Sequence, residues 1–141
     1  MTDDEFLAAL EVAAGVRAES SDDAIGPLAH LGHVDHLRMM WILTTRLGRT
    51  ASRDRAAALL SNLAARHGMA DRYHETLTTF WARTVAHAQS RCDAAGIGDL
   101  LDRHPALLDK NLALRHYRAE TLWSDAARTS IVEPDLLPIP A

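Results

Sequence analysis

Apolar residues recur at intervals of three and four along most of the chain, which is the spacing of one face of an α-helix. The first such stretch follows a capping box at Thr2-Asp3-Asp4-Glu5 and ends near Gly15. Serine, glycine and proline residues between 16 and 31 predict a loop. Three longer helices are predicted after it, at about 33–47, 52–67 and 71–92. Ser52 and Asp71 are the expected N-caps of the second and third of these.

Beyond residue 96 the predicted helices become shorter, at 99–103, 106–117 and 125–130. Pro134, Pro138 and Pro140 exclude a helix at the C-terminus, so residues from about 131 to 141 are expected to form an extended tail. No segment alternates polar and apolar residues convincingly enough to predict a sheet. The pattern predicts one all-α domain over residues 1–141, an irregular or orthogonal bundle of five to seven helices with an extended, proline-rich C-terminal tail.

Histidine is the unusual component of the composition, with eight residues beside a single cysteine. Because histidine is the commonest protein ligand of transition metals, this count suggests a metal site. The lone Cys92 excludes an internal disulfide and a thiolate-rich zinc site, and it is typical of a protein from a reducing cytoplasm.

Charge and hydropathy argue against several other classes of protein. A net charge of −4 with a single lysine disfavours a general nucleic-acid-binding surface. No run of about 18 apolar residues is present, so no membrane-spanning segment is expected. The acidic N-terminus lacks the basic start and the apolar run of a signal peptide, so a cytoplasmic location is expected.

The positions of the histidines on the predicted helices narrow the candidates to three. At about 100° per residue, His33 and His36 lie within the apolar arc of helix 33–47, one turn apart. His74 lies at the inward edge of helix 71–92, which is expected to pack nearby. Three such imidazoles could hold one divalent transition ion, zinc, copper or iron, with a coordination position left open. The alternative is that they are core histidines, each bonded to a backbone carbonyl.

Neighbouring side chains would complete such a centre. Asp35 would hydrogen-bond a ligating imidazole and orient it. Trp41 and Trp81 share faces with the histidines and would form the wall of an apolar pocket for a substrate or ligand. His30 would join only if helix 33–47 began one turn earlier. The candidate catalytic residues, which could orient ligands or move protons beside a bound substrate, are Tyr73, Glu75, Thr78 and His116.

Three stretches of the chain carry a resemblance to a family. They are His33-Val34-Asp35-His36-Leu37-Arg38-Met39-Met40-Trp41, then Arg72-Tyr73-His74-Glu75-Thr76-Leu77-Thr78, and a late run from His104-Pro105-Ala106-Leu107-Leu108 through Arg115-His116-Tyr117 to Leu122-Trp123-Ser124-Asp125-Ala126-Ala127-Arg128. In their order and spacing the chain resembles a family of small, all-helical bacterial proteins with little assigned function. The resemblance covers most of the chain from Leu31 to Pro134, and its pattern includes His33, His36 and His74. Leu31 stands where that pattern has an aromatic residue, which is expected to alter pocket packing rather than ligation.

Two functions from different classes follow from the sequence. The first is a metal-dependent enzyme that acts on a small organic molecule through the three-histidine site. The second is a non-catalytic helical module that binds an apolar ligand or a partner protein, with the histidines in structural roles. A purely structural metal ion is a third hypothesis. The pattern selects neither a reaction class nor a substrate.

Overall fold

Seven α-helices form the part of the chain that the structure describes, which is residues 1–16 and 31–140 of a computed structural model. The longest are α2 (His33–Leu47), α3 (Arg49–Arg66) and α4 (Glu75–Ser90). The others are α1 (Asp3–Ala13), α5 (Ile97–Arg103), α6 (Ala119–Leu122) and α7 (Asp125–Thr129), with 3₁₀ turns at Ala70–Arg72, Pro105–Leu108 and Leu112–Arg115. No strand occurs within these ranges, so the predicted all-α bundle of five to seven helices is confirmed. His30 and most of the predicted loop at 16–31 lie outside the described residues.

The core lies where α2, α3 and α4 pack against one another. Each helix contributes a fully buried side chain to one contiguous cluster, for example Leu37, Leu59 and Val85. The helix α1 covers this cluster with Phe6 and Leu10. Full burial of one such side chain is worth about 1.5–3 kcal/mol, so these contacts stabilise the helices far more than local propensity does. None of the helices in the described ranges combines the length and the apolar character needed to cross a bilayer.

A single glycine separates α2 from α3. Gly48 has φ 84° and ψ 177°, a conformation largely restricted to glycine, and it confirms the predicted end of the first long helix. The predicted N-cap at Ser52 is wrong, because α3 already begins at Arg49. Ser52 is instead buried inside α3, where its hydroxyl donates to the Arg49 carbonyl (2.9 Å) and accepts from Thr44 Oγ1 of α2 (3.2 Å). The Ser52 hydroxyl therefore links α2 to α3 and does not cap α3.

The start of α4 also differs from the prediction. Asp71 lies in the 3₁₀ turn Ala70–Arg72, and the chain is extended at Tyr73 and His74, so α4 begins at Glu75. The predicted N-cap at Asp71 is therefore wrong, and His74 is the N-cap residue. The imidazole supplies the acceptor that the first turn of α4 needs, so the aspartate is not required for this purpose.

The segment between α5 and α6 is less helical than predicted. The continuous helix expected at 106–117 is wrong, because two separate 3₁₀ turns take its place. Asp109 between these turns is extended, and its carboxylate accepts from the amide of Asn111 at 2.9 Å. Such a local side-chain bond competes with helix formation. Leu107 and Leu112 are nevertheless buried, one in each turn.

The C-terminal tail contains no helix over residues 131–140, as predicted, and it is hydrogen-bonded to the body of the protein. The Tyr117 hydroxyl donates to the carbonyl of Val132 at 2.7 Å. The Asp135 carboxylate accepts from the amide of Arg118 at 2.9 Å. These bonds fix the tail beside the turn that follows the second 3₁₀ segment.

Gly48→Ala is expected to destabilise the protein by about 1–3 kcal/mol, because alanine disfavours the backbone conformation at this junction. Beyond the chain neighbours, no atom of the described residues lies within 4 Å of the added methyl group, so the cost comes from the backbone alone. Gly98→Ala in α5 is the matched control. Its methyl group is equally unobstructed, but alanine is favoured in a helix by up to about 1 kcal/mol. Urea unfolding measures both, and equal stabilities would contradict the role assigned to Gly48.

Candidate functional site

A cleft of about 590 Å³ opens between α2, α3, α4 and the turn that joins α3 to α4. Its volume lies within the range of about 300–1,000 Å³ that is typical of small-molecule sites. Eight apolar side chains line it: Leu31, Met40, Leu60, Leu63, Ala64, Met69, Leu77 and Trp81. The polar lining consists of His33, His36, His67, Arg72, Tyr73, His74 and Thr78. All three histidines that the sequence singles out therefore line the same cleft.

His33 is held in the cleft wall by a bond to a distant part of the chain. Its Nε2 lies 2.7 Å from the carbonyl oxygen of Leu107, and since a carbonyl only accepts, Nε2 carries the proton. The ring also meets Trp81 edge to face, with ring centroids 4.7 Å apart. Nδ1 of His33 has no hydrogen-bond partner among the described residues.

His74 has both of its ring nitrogens engaged. Nδ1 accepts from the amide of Leu77 at 3.0 Å, which caps α4, and Nε2 donates to the carbonyl of Leu122 at 2.7 Å. The rings of His74 and Trp123 pack edge to face, with centroids 5.8 Å apart. Burial lowers the pKa of His74, so the neutral form that makes both bonds is the favoured one.

His36 is a half-buried imidazole that keeps both of its nitrogens available to the cleft. Neither of them hydrogen-bonds to another residue of the described ranges. Burial lowers the pKa of His36, the neighbouring His33 lowers it further, and Asp35 opposes both effects. The ring is therefore neutral at neutral pH and presents one donor and one acceptor.

The two carboxylates that were expected to orient the imidazoles have other partners. Asp35 accepts from the amide of Gly32 at 3.0 Å and thereby stabilises the start of α2. Glu75 is ion-paired with Arg53, which also donates to Thr79 Oγ1 at 3.2 Å. Neither carboxylate is part of the cleft lining.

The other candidate catalytic residues are divided between two places. Tyr73 and Thr78 line the cleft. Thr78 Oγ1 donates to the carbonyl of His74 at 2.8 Å, and burial raises the pKa of Tyr73, so its phenol stays protonated. His116 lies away from the cleft lining, with its Nδ1 3.0 Å from the carbonyl oxygen of Leu137 in the tail.

The cleft wall also differs from the predicted one. Trp81 lines the cleft, whereas Trp41 packs against the core cluster and is not part of the lining. His67 and Arg72 line the cleft but are absent from the predicted site. A signal for His67 is present in the sequence, because it follows Leu63 at the i+4 position and so continues the inner face of α3.

The described residues contain no group of three or more histidine, cysteine, aspartate or glutamate side chains arranged to hold a metal ion. His74 accounts for part of this, because both of its nitrogens are bonded and it has no lone pair to offer. A three-histidine centre would require His74 to release the first turn of α4. The predicted metal site is thus a hypothesis that needs a rearrangement at this residue.

Comparisons of the chain with protein-family models, with curated proteins and with solved structures find no match. The function is therefore inferred from the cleft itself.

His74→Asn is expected to retain the cap of α4, because asparagine is a strong N-cap residue, whereas His74→Ala loses it and is less stable than the asparagine variant by about 1 kcal/mol.

A fall in pH should reduce the free energy of unfolding of wild type more than that of either His74 variant. The folded-state pKa of His74 lies below its unfolded value of 6.5, so the unfolded state takes up the proton more readily and stability falls as the pH drops through this window.

Burial also lowers the pKa of His36, so this residue too makes the free energy of unfolding fall as the pH drops. The stability of the His74 variants should therefore still depend on pH, but less steeply than that of wild type. Unfolding measured between about pH 7 and 5.5 gives the slope. Identical slopes for wild type and His74→Asn would contradict the assignment of a neutral, doubly bonded imidazole.

Proposed function

We propose that the protein binds, in this cleft, a small molecule that has an apolar body and one hydrogen-bonding group. This is the second of the two functions that the sequence leaves open. The observation that carries it is an apolar cleft of about 590 Å³ with the half-buried, unengaged imidazole of His36 in its wall.

The apolar lining supplies the driving force for binding. Met40 and Leu63 are buried and form the inner part of the cleft, and Trp81 offers a large flat surface beside them. Removal of apolar ligand surface from water is worth about 0.8 kcal/mol for each buried CH₂ group. A molecule with six to ten carbon atoms would therefore gain enough from burial to bind measurably.

His36 would supply a polar contact to the ligand inside the cleft. A neutral imidazole carries one donor and one acceptor, and in an apolar wall only water or a ligand can satisfy them. Both ring nitrogens of His74 are bonded, one ring nitrogen of His33 is bonded, and His67 is exposed at the rim. Among the four imidazoles of the lining, His36 is therefore the half-buried one that has both nitrogens available to a ligand.

Ala64→Phe is expected to fill the cleft and to weaken the binding of 1-octanol by about tenfold or more, because the phenyl ring would occupy the ligand's volume. Ala65→Phe is the matched control: the residue lies next along α3, is exposed and does not line the cleft. Isothermal titration calorimetry measures the affinities. Equal weakening by both variants would mean that 1-octanol binds outside the cleft. That result, or no weakening by either variant, would contradict the proposal.

A second candidate, the metal-dependent enzyme, is favoured by the hydrogen bond of His33. Its Nε2–H donates to the Leu107 carbonyl, and histidines that ligate metals usually donate their other N–H in this way. Nδ1 of His33 and one nitrogen of His36 would then be the protein ligands, one helical turn apart. Open positions on such an ion could polarise a bound substrate.

The metal hypothesis makes a prediction that separates these histidines. Addition of zinc should reach close to one ion per chain, His36→Gln should weaken zinc binding by about tenfold or more, and His74→Asn should leave it nearly unchanged. The free zinc concentration is followed with a chelating dye. Binding of less than about 0.2 ions per chain, or loss of binding in His74→Asn alone, would contradict this second candidate.

A further inference from the structure

We infer that the ligand of the cleft is an apolar carboxylic acid, with its carboxylate at Arg72 and its hydrocarbon part against the apolar wall. This inference rests on the proposed function, because it names the class of ligand for the same cleft. The charge of the lining, its distribution between rim and interior, and the geometry of the guanidinium group each support it.

The charge of the lining favours an anion. Arg72 and four imidazoles line the cleft, and no carboxylate of the described residues does. Three carboxylates neighbour cleft residues in sequence. Asp35 is engaged with the Gly32 amide and Glu75 with an arginine of α3, whereas Asp71, next to Arg72, forms no ion pair among the described residues but does not line the cleft. Arg72 itself forms no ion pair within residues 1–16 and 31–140. An anionic group would therefore meet a cation without competition from a side chain of the lining.

The polar and apolar parts of the lining are separated in depth. Arg72 and His67 are exposed at the rim, whereas Met40 and Leu63 are buried in the interior. An amphipathic molecule matches this order, with its charged end at the rim and its hydrocarbon part inside. An anion at the rim keeps part of its hydration, so the cost of removing it from water is much smaller than in a closed cavity.

The guanidinium group favours a carboxylate among the available anions. Its planar fork of N–H donors matches the two oxygens of a carboxylate in a bidentate arrangement. One guanidinium also balances a single negative charge, whereas a phosphomonoester carries close to two at neutral pH. A cationic head group would be repelled by Arg72.

Octanoate, 1-octanol and octylammonium form a matched set of probes, because they share a hydrocarbon chain and differ in the charge of the head group. Octanoate is expected to bind about tenfold or more tightly than 1-octanol, and octylammonium more weakly than both. Arg72→Gln should reduce the affinity for octanoate to about that for 1-octanol, and a circular-dichroism spectrum and a urea midpoint like those of wild type would show that the variant is folded. Arg91→Gln removes the same charge at an exposed position outside the cleft and should keep the preference.

The outcomes distinguish this inference from the proposed function. Equal affinities for octanoate and 1-octanol, both weakened by Ala64→Phe, would overturn the carboxylate and leave the cleft as a binding site. Tighter binding of octylammonium or of octyl phosphate would also overturn it, as would a persistent octanoate preference in Arg72→Gln. Failure of every probe to bind wild type would overturn the proposed function itself.

Discussion

Two hydrogen bonds from imidazoles to backbone carbonyls fix the part of the structure on which the cleft depends. His33 at the start of α2 bonds to Leu107, and His74 at the start of α4 bonds to Leu122. Both acceptors lie in the C-terminal half, where 3₁₀ turns and short helices replace long ones and local structure alone would not hold the chain in place. Each bond needs a protonated Nε2, and at His74 the cap of α4 also needs an unprotonated Nδ1, so that residue must be neutral.

This constraint divides the histidines of the cleft into structural and available ones. The rings of His33 and His74 cannot easily change partners, because each is also packed edge to face against a tryptophan. His36 lines the same cleft without a hydrogen-bond partner among the described residues. An open apolar volume, the half-buried and unengaged imidazole of His36 and a cationic rim at Arg72 together suit a molecule that is apolar at one end and anionic at the other.

The helical class, and the presence of His33 and His36 on an inner face, could be predicted because both depend on periodicity within one helix. The sequence also offered a bond from each of the three candidate histidines to a backbone carbonyl as the alternative to metal ligation, and His33 and His74 make such bonds. The particular carbonyl that His74 reaches could not be predicted, because Leu122 is 48 positions away, and its role as the N-cap of α4 was missed. By residue type alone, aspartate is a better N-cap than histidine, which is why Asp71 was predicted. The bond from His74 to Leu122 holds the imidazole at the start of α4, where it acts as the N-cap instead. The helix prediction at 106–117 was wrong because the buried leucines on which it rested fit two 3₁₀ turns as well as one α-helix.

The most direct test of this account is the protonation state of each cleft histidine, read by NMR on protein with isotope-labelled imidazoles. We predict that His33 and His74 both carry a proton on Nε2, that His74 is neutral at neutral pH, and that octanoate shifts the resonances of His36 while leaving those of His74 in place. A charged or Nδ1-protonated His74, or a His36 that does not respond to octanoate while His74 does, would contradict it.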